Sequence, residues 1–183
     1  MVFEVETGTS SETATSYVDV DFADAYLADN DNWTQPLESG DEGYDADSEA
    51  ALLLSKQEAL IKATQGIDLM YGESFKGYQS NNLQNLEWPR TFVTYGAIPT
   101  RLKQAVCELA VDVINGTGSA VRDLNPLANV TQRSISGAGF SKSETYSDAS
   151  VNEYRQGLLK IELLLQKLVE DLDNTFAPAY FNR

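Results

Sequence analysis

The chain has 183 residues, 42% of them hydrophobic and 10% aromatic, which suits one globular domain with its own core and is too short for two full ones. It has no histidine and one cysteine, Cys107, which excludes Ser-His-Asp and Cys-His nucleophiles, His-ligated zinc, internal disulfides and multi-cysteine metal sites. No apolar run reaches the roughly 18 residues a membrane span needs, and Met1-Val2-Phe3-Glu4-Val5-Glu6 lacks the features of a signal peptide, so the expected location is the cytoplasm or an assembly built there.

The net charge of −15 is unevenly spread. Residues 1 to 55 hold fourteen Asp and Glu and no Lys or Arg, whereas residues 56 to 183 hold fourteen acidic and thirteen basic residues. One part of the molecule therefore carries nearly all the excess, either as a solubilising surface or as one that repels nucleic acid.

Residues 1 to 15 are rich in Thr, Ser and Glu and read as a flexible arm. Asp19 suits a helix N-cap, with Asp21 in the first turn and Phe22, Ala25 and Tyr26 on one face of a helix running to about Ala28. Residues 29 to 47 have the polar, turn-rich composition of a loop. Its Asp-Asn alternation fails as a calcium loop, because Trp33 and Thr34 fall where a ligand and a glycine are needed.

Asp47 or Ser48 is expected to cap a second helix in which Leu53, Leu60, Ala63, Ile67 and Met70 share a face while Lys56, Glu58 and Lys62 meet water, ending near Tyr71-Gly72. Residues 73 to 98 form an irregular connection whose Phe75, Tyr78, Leu83, Leu86 and Trp88 predict packing over the bundle. Trp88 before Pro89 favours an extended backbone, with the indole inward and Arg90 outward. Ile98-Pro99 opens a helix closed by Asn115-Gly116, with Leu102, Ala105, Val106, Leu109, Ala110 and Val113 at helical spacing; its wide apolar stripe predicts a central position, with Cys107 buried.

Two short strands are predicted near 129 to 135 and 140 to 146, joined by Ser136-Gly137-Ala138-Gly139; the Gly-x-Gly pair reads as a turn rather than a phosphate loop. The last helix follows from Val151, Tyr154, Leu158, Ile161, Leu165, Leu168 and Leu172. Phe176, Tyr180 and Phe181 beyond it need cover, on the parent bundle or on a partner. The expected fold is mainly α: a bundle of about four helices, residues 16 to 172, with a hairpin (129 to 146) between the last two helices and an extended aromatic arm at 173 to 183.

Ser16-Tyr17-Val18 leading to Ala23-Asp24-Ala25-Tyr26, Ala59 to Thr64, Gln84-x-Leu86-x-Trp88-Pro89-Arg90, and Ile98-Pro99 followed by Lys103-x-Ala105-x-x-Glu108-Leu109-Ala110 together resemble the head-tail connector (adaptor) proteins of tailed bacteriophages, in the group labelled DnaT-like. The resemblance spans residues 16 to 172, with Trp88, Pro89, Arg90 and Pro99 as its most specific part. It implies a virion subunit repeated in a ring of about twelve beneath the portal, joined to stopper or tail proteins and lining a passage for double-stranded DNA without binding it specifically. Phe176, Tyr180, Phe181 and Arg183 would then dock on the portal, and Asp41, Glu42, Asp45 and Asp47 would face the channel, where carboxylates let phosphates slide.

The group's label gives the alternative, single-stranded DNA binding, which calls for basic residues interleaved with aromatics. An enzyme is not expected, since no histidine, metal motif or nucleophile elbow is present, and no cofactor is implied.

Overall fold

The computed structural model describes residues 2–93, 98–115, 132–137, 140–145 and 159–169. Four helices and two small antiparallel hairpins make up this part: α1 (Val20–Tyr26), α2 (Ala46–Tyr71), β1 (Tyr78–Gln79), β2 (Arg90–Thr91), α3 (Thr100–Ile114), β3 (Gln132–Gly137), β4 (Phe140–Thr145) and α4 at 159–165. The mainly helical expectation holds. Among the described residues, no helix is long and apolar enough to cross a membrane.

The core lies where α2 and α3 pack together, lined by Ala59, Leu60, Ala63 and Ile67 from one and Leu102, Ala105, Val106, Leu109 and Ala110 from the other. Alternating steps of three and four place these residues on facing stripes, and the alanines keep the contact surface low. Cys107 is fully buried, and burial pushes its thiol up to about 12, so it is an inert core residue. Ile161, Leu165, Leu168 and Val169 close one side of the core. The helix expected to run to residue 172 stops at 165, gives way to a turn, and leaves Val169 bridged to Phe75.

Helix boundaries follow their caps. Asp19 accepts the Phe22 N–H at 2.7 Å, as expected, but it is Ala23 and Leu27 that α1 buries, while Ala25 is exposed. Asp45, two residues earlier than predicted, caps α2 through the Ser48 N–H at 3.0 Å. The first turns of α2 stand clear of the body, which leaves Leu53 exposed rather than in the core. In the second hairpin Gly137 pairs with Phe140, so its strands are close to those predicted; the connecting residues 138 and 139 lie outside the described ones.

Two further sequence expectations are overturned. Residues 2–15 are not a loose arm. Val5 bridges Ser16, Asn85 donates its backbone N–H to Ser11 O and its side-chain N–H to Ala14 O, and Ala14 is fully buried. The Glu6 carboxyl, 1% exposed, accepts the N–H groups of Gly8, Thr9, Ser10 and Ser11, which gives a strand-free loop the backbone partners it otherwise lacks.

Lys56 does not face water: it is 1% exposed and pairs at 2.5 Å with Asp24 of α1. The loop after α1 is irregular, as expected, and is anchored by its tryptophan. Trp33 donates its indole N–H to the same Asp24 oxygen at 2.6 Å, is 2% exposed, and lies 5.3 Å from the Lys56 ammonium. A buried cation is tolerated because a carboxylate and an aromatic face both meet it.

Asp24→Ala strands that ammonium in the core. We expect it to lower unfolding free energy by roughly 3–5 kcal/mol in a denaturant titration, against about 1 kcal/mol or less for the exposed pair partner Glu58→Ala.

Candidate nucleic-acid interface

The segment from the end of α2 to Phe92 is irregular, and every turn of it is tied down. Trp88 sits fully buried across Phe75, with ring centroids 5.9 Å apart in an edge-to-face arrangement, and the Trp88-Pro89 peptide is cis. Beneath it lies a buried polar chain. The Tyr17 hydroxyl donates to Asp68 Oδ1 at 2.6 Å and accepts the Trp88 N–H at 3.1 Å, while the Glu87 N–H reaches Asp68 Oδ2 at 3.2 Å.

Burial raises the Asp68 carboxyl to about 7, against the pull of its donors, and burial together with Asp68 keeps the Tyr17 hydroxyl well above its ordinary range. Tyr17 is therefore a donor at any physiological pH. Gln84, 7% exposed, closes the loop from within by donating to Leu86 O and Pro89 O.

Arg90 does not turn outward as expected. Its side chain is 8% exposed: Nε donates to Lys76 O at 3.1 Å, Nη2 to Gly77 O at 2.9 Å, and Nη1 to Glu87 Oε2 at 2.7 Å. These bonds draw β1 against β2 in the register Tyr78 to Thr91 and Gln79 to Arg90. The approach requires glycine at 77, where φ is +76° and an added Cβ would lie 2.1 Å from Thr91 O.

The result is an exposed aromatic pair. Tyr78 is 72% and Phe92 91% exposed, their ring centroids 6.2 Å apart and their planes at 89°. Phe92 holds φ at +62°, a left-handed conformation that a bulky residue adopts at a cost. Leu83, on the loop between the strands, is also exposed. Tyr78 and Leu83 were expected to pack over the bundle, and neither does. At the foot of the hairpin Lys76 donates its backbone N–H to Leu168 O and its ammonium to Lys167 O, which ties the base of the pair to the turn that follows α4.

The remaining sequence candidates fall elsewhere. Trp88 and Pro89 are buried beneath this surface, and Pro99 is buried as the residue preceding α3. Asp41, Glu42, Asp45 and Asp47 are exposed; Asp41 accepts the Glu38 N–H and Asp45 is the α2 cap. Phe176, Tyr180, Phe181 and Arg183 lie outside the described residues. No sequence signal separates Tyr78 and Phe92 from buried loop aromatics, because their exposure follows from Arg90 and Gly77 pinning the backbone.

Two outcomes test this construction. Gly77→Ala should lower thermal stability and speed hydrogen exchange in the hairpin, since the Cβ displaces Thr91. Asp68, whose folded value lies above its unfolded 3.8, stabilises the fold below about pH 4 and loses that contribution as pH rises through about 7. Whatever constant offset the amide brings, Asp68→Asn should therefore gain stability relative to the native chain between about pH 5 and pH 8 in parallel denaturant titrations; a constant difference would exclude Asp68.

Residues 1–178 match the family model described as "Putative DnaT-like ssDNA binding protein". No curated protein and no solved structure matches the chain significantly. The family description corrects the expectation of a virion neck subunit that binds a portal: the activity it prints is binding of single-stranded DNA, and the virion, neck and portal roles have no support in it. With the match running over nearly the whole sequence, the chain belongs to this DnaT-like ssDNA-binding family.

Proposed function

We propose that this protein binds single-stranded DNA by stacking unpaired bases on the Tyr78–Phe92 pair. The observation that carries the reading is Phe92, strained into the left-handed region and 91% exposed. Such strain is retained where a surface uses it, and an exposed ring offers the fold little in return. Bases of a single strand present open faces to such rings, whereas bases in a duplex are already stacked.

The net charge of −15 shapes how the binding works. A polyanion gains little from the overall field of this protein, so stacking has to supply most of the affinity. Phosphates are met locally by Lys76, whose ammonium has three donors and gives one to Lys167 O. With about one phosphate contact, the log–log salt slope should be no steeper than roughly −0.7. This is the opposite of a groove lined by many cations, and it distinguishes the mode.

The test is a fluorescence-anisotropy titration of a labelled thymidine oligonucleotide and its duplex at several salt concentrations. The native chain should prefer the single strand, with the shallow slope given above. Phe92→Gly removes a ring worth about 1–3 kcal/mol of stacking, so affinity should fall roughly 5- to 150-fold. The same variant relieves the left-handed strain and should melt no lower than the native chain. Absence of saturable single-strand binding at physiological salt would overturn the reading and assign the aromatic pair to another partner.

A further inference from the structure

We infer that Arg90 is the positioning residue of the Tyr78–Phe92 pair and not one of its phosphate contacts, an inference that rests on the single-strand reading above. In a DNA-binding surface an arginine beside two exposed aromatics would ordinarily be assigned to the backbone of the ligand. Here the guanidinium faces the other way.

Its donors are taken by Lys76 O, Gly77 O and Glu87 Oε2, with a longer bond to Glu87 O at 3.4 Å, and its carbon lies 5.9 Å from the Phe75 ring centroid. Lys76 and Gly77 lead directly into Tyr78, and Arg90 and Thr91 lead directly into Phe92. One planar group therefore sets the separation of the two strands that carry the rings. Those strands are two residues each, too short to hold their own register. The fork geometry is what matters: lysine keeps the charge but cannot reach two carbonyls and a carboxylate at once.

The experiment uses full-length protein and compares Arg90→Lys, Lys76→Ala, Phe92→Gly and the Arg90→Lys/Phe92→Gly double variant by thymidine-oligonucleotide titration across salt. Arg90→Lys should weaken binding fivefold or more with an unchanged salt slope, whereas Lys76→Ala should make the slope shallower by about 0.7. The double variant should lose less than the sum of the two single variants, because part of Arg90's effect runs through the Phe92 ring that is already gone. A shallower slope in Arg90→Lys, or additive losses in the double variant, would overturn the inference by making Arg90 a direct contact.

Hydrogen exchange without DNA provides an arm independent of the ligand. In Arg90→Lys the amides of 77–80 and 90–92 should exchange faster while those of α2 and α3 do not change. Faster exchange throughout, or none in the hairpin, would overturn the positioning role. A hairpin-confined response in a protein that binds no oligonucleotide upholds Arg90 as the positioning group and rejects the ligand reading alone.

Discussion

A loop that crosses the face of a helical core must find partners for backbone groups that neither helix nor sheet provides, and this constraint shapes the molecule from Gly72 to Phe92. Four side chains meet it. Asp68 takes the Glu87 N–H and fixes Tyr17, which takes the Trp88 N–H; Gln84 donates to Leu86 O and Pro89 O; Arg90 donates to Lys76 O and Gly77 O. Each is largely withdrawn from water, where a hydrogen bond is stronger and an unmade one costlier. These bonds tie the loop to the core and to itself, up to the strands that lead into the rings.

The same principle explains the N-terminal segment. Glu6 gathers four consecutive loop N–H groups into its carboxyl, and Asn85 joins that segment to the long loop through two bonds to Ser11 O and Ala14 O. Asp24 serves α1, the Trp33 loop and α2 at a single oxygen. In each case one acidic side chain replaces a stretch of regular structure, so part of the acidic excess at this end is internal.

What was legible in the sequence was periodic or terminal. The stripe of α3, the Asp19 cap and the end of α2 follow from local spacing and cap chemistry, which act within a turn or two of the chain. What was not legible depends on partners far apart. Lys56 reads as a surface lysine until Asp24, 32 residues earlier, is placed beside it. Arg90 reads as an outward charge because its acceptors at 76 and 77 lie across a hairpin that residue types alone do not announce. Tyr78 and Phe92 were missed for the inverse reason: loop aromatics are ordinarily packed inward, and only the close crossing at Gly77 and Thr91 keeps these two out.

That crossing also bears on how an acidic protein meets an acidic polymer. At physiological ionic strength charges act over about 8 Å, so the local set around the rings counts for more than the total. At the base of the hairpin Lys76 rests its ammonium on Lys167 O, and Arg90 is neutralised by Glu87 at 2.7 Å. Withdrawing the arginine into the fold removes the one charge that would have bound phosphate most firmly and spends it on geometry. On the proposed single-strand reading, affinity would rest on ring faces, which every base can meet, and would be only weakly coupled to salt. On that reading an acidic body around the site would keep duplex DNA from adhering elsewhere, which would leave the unpaired base as the feature the surface can hold.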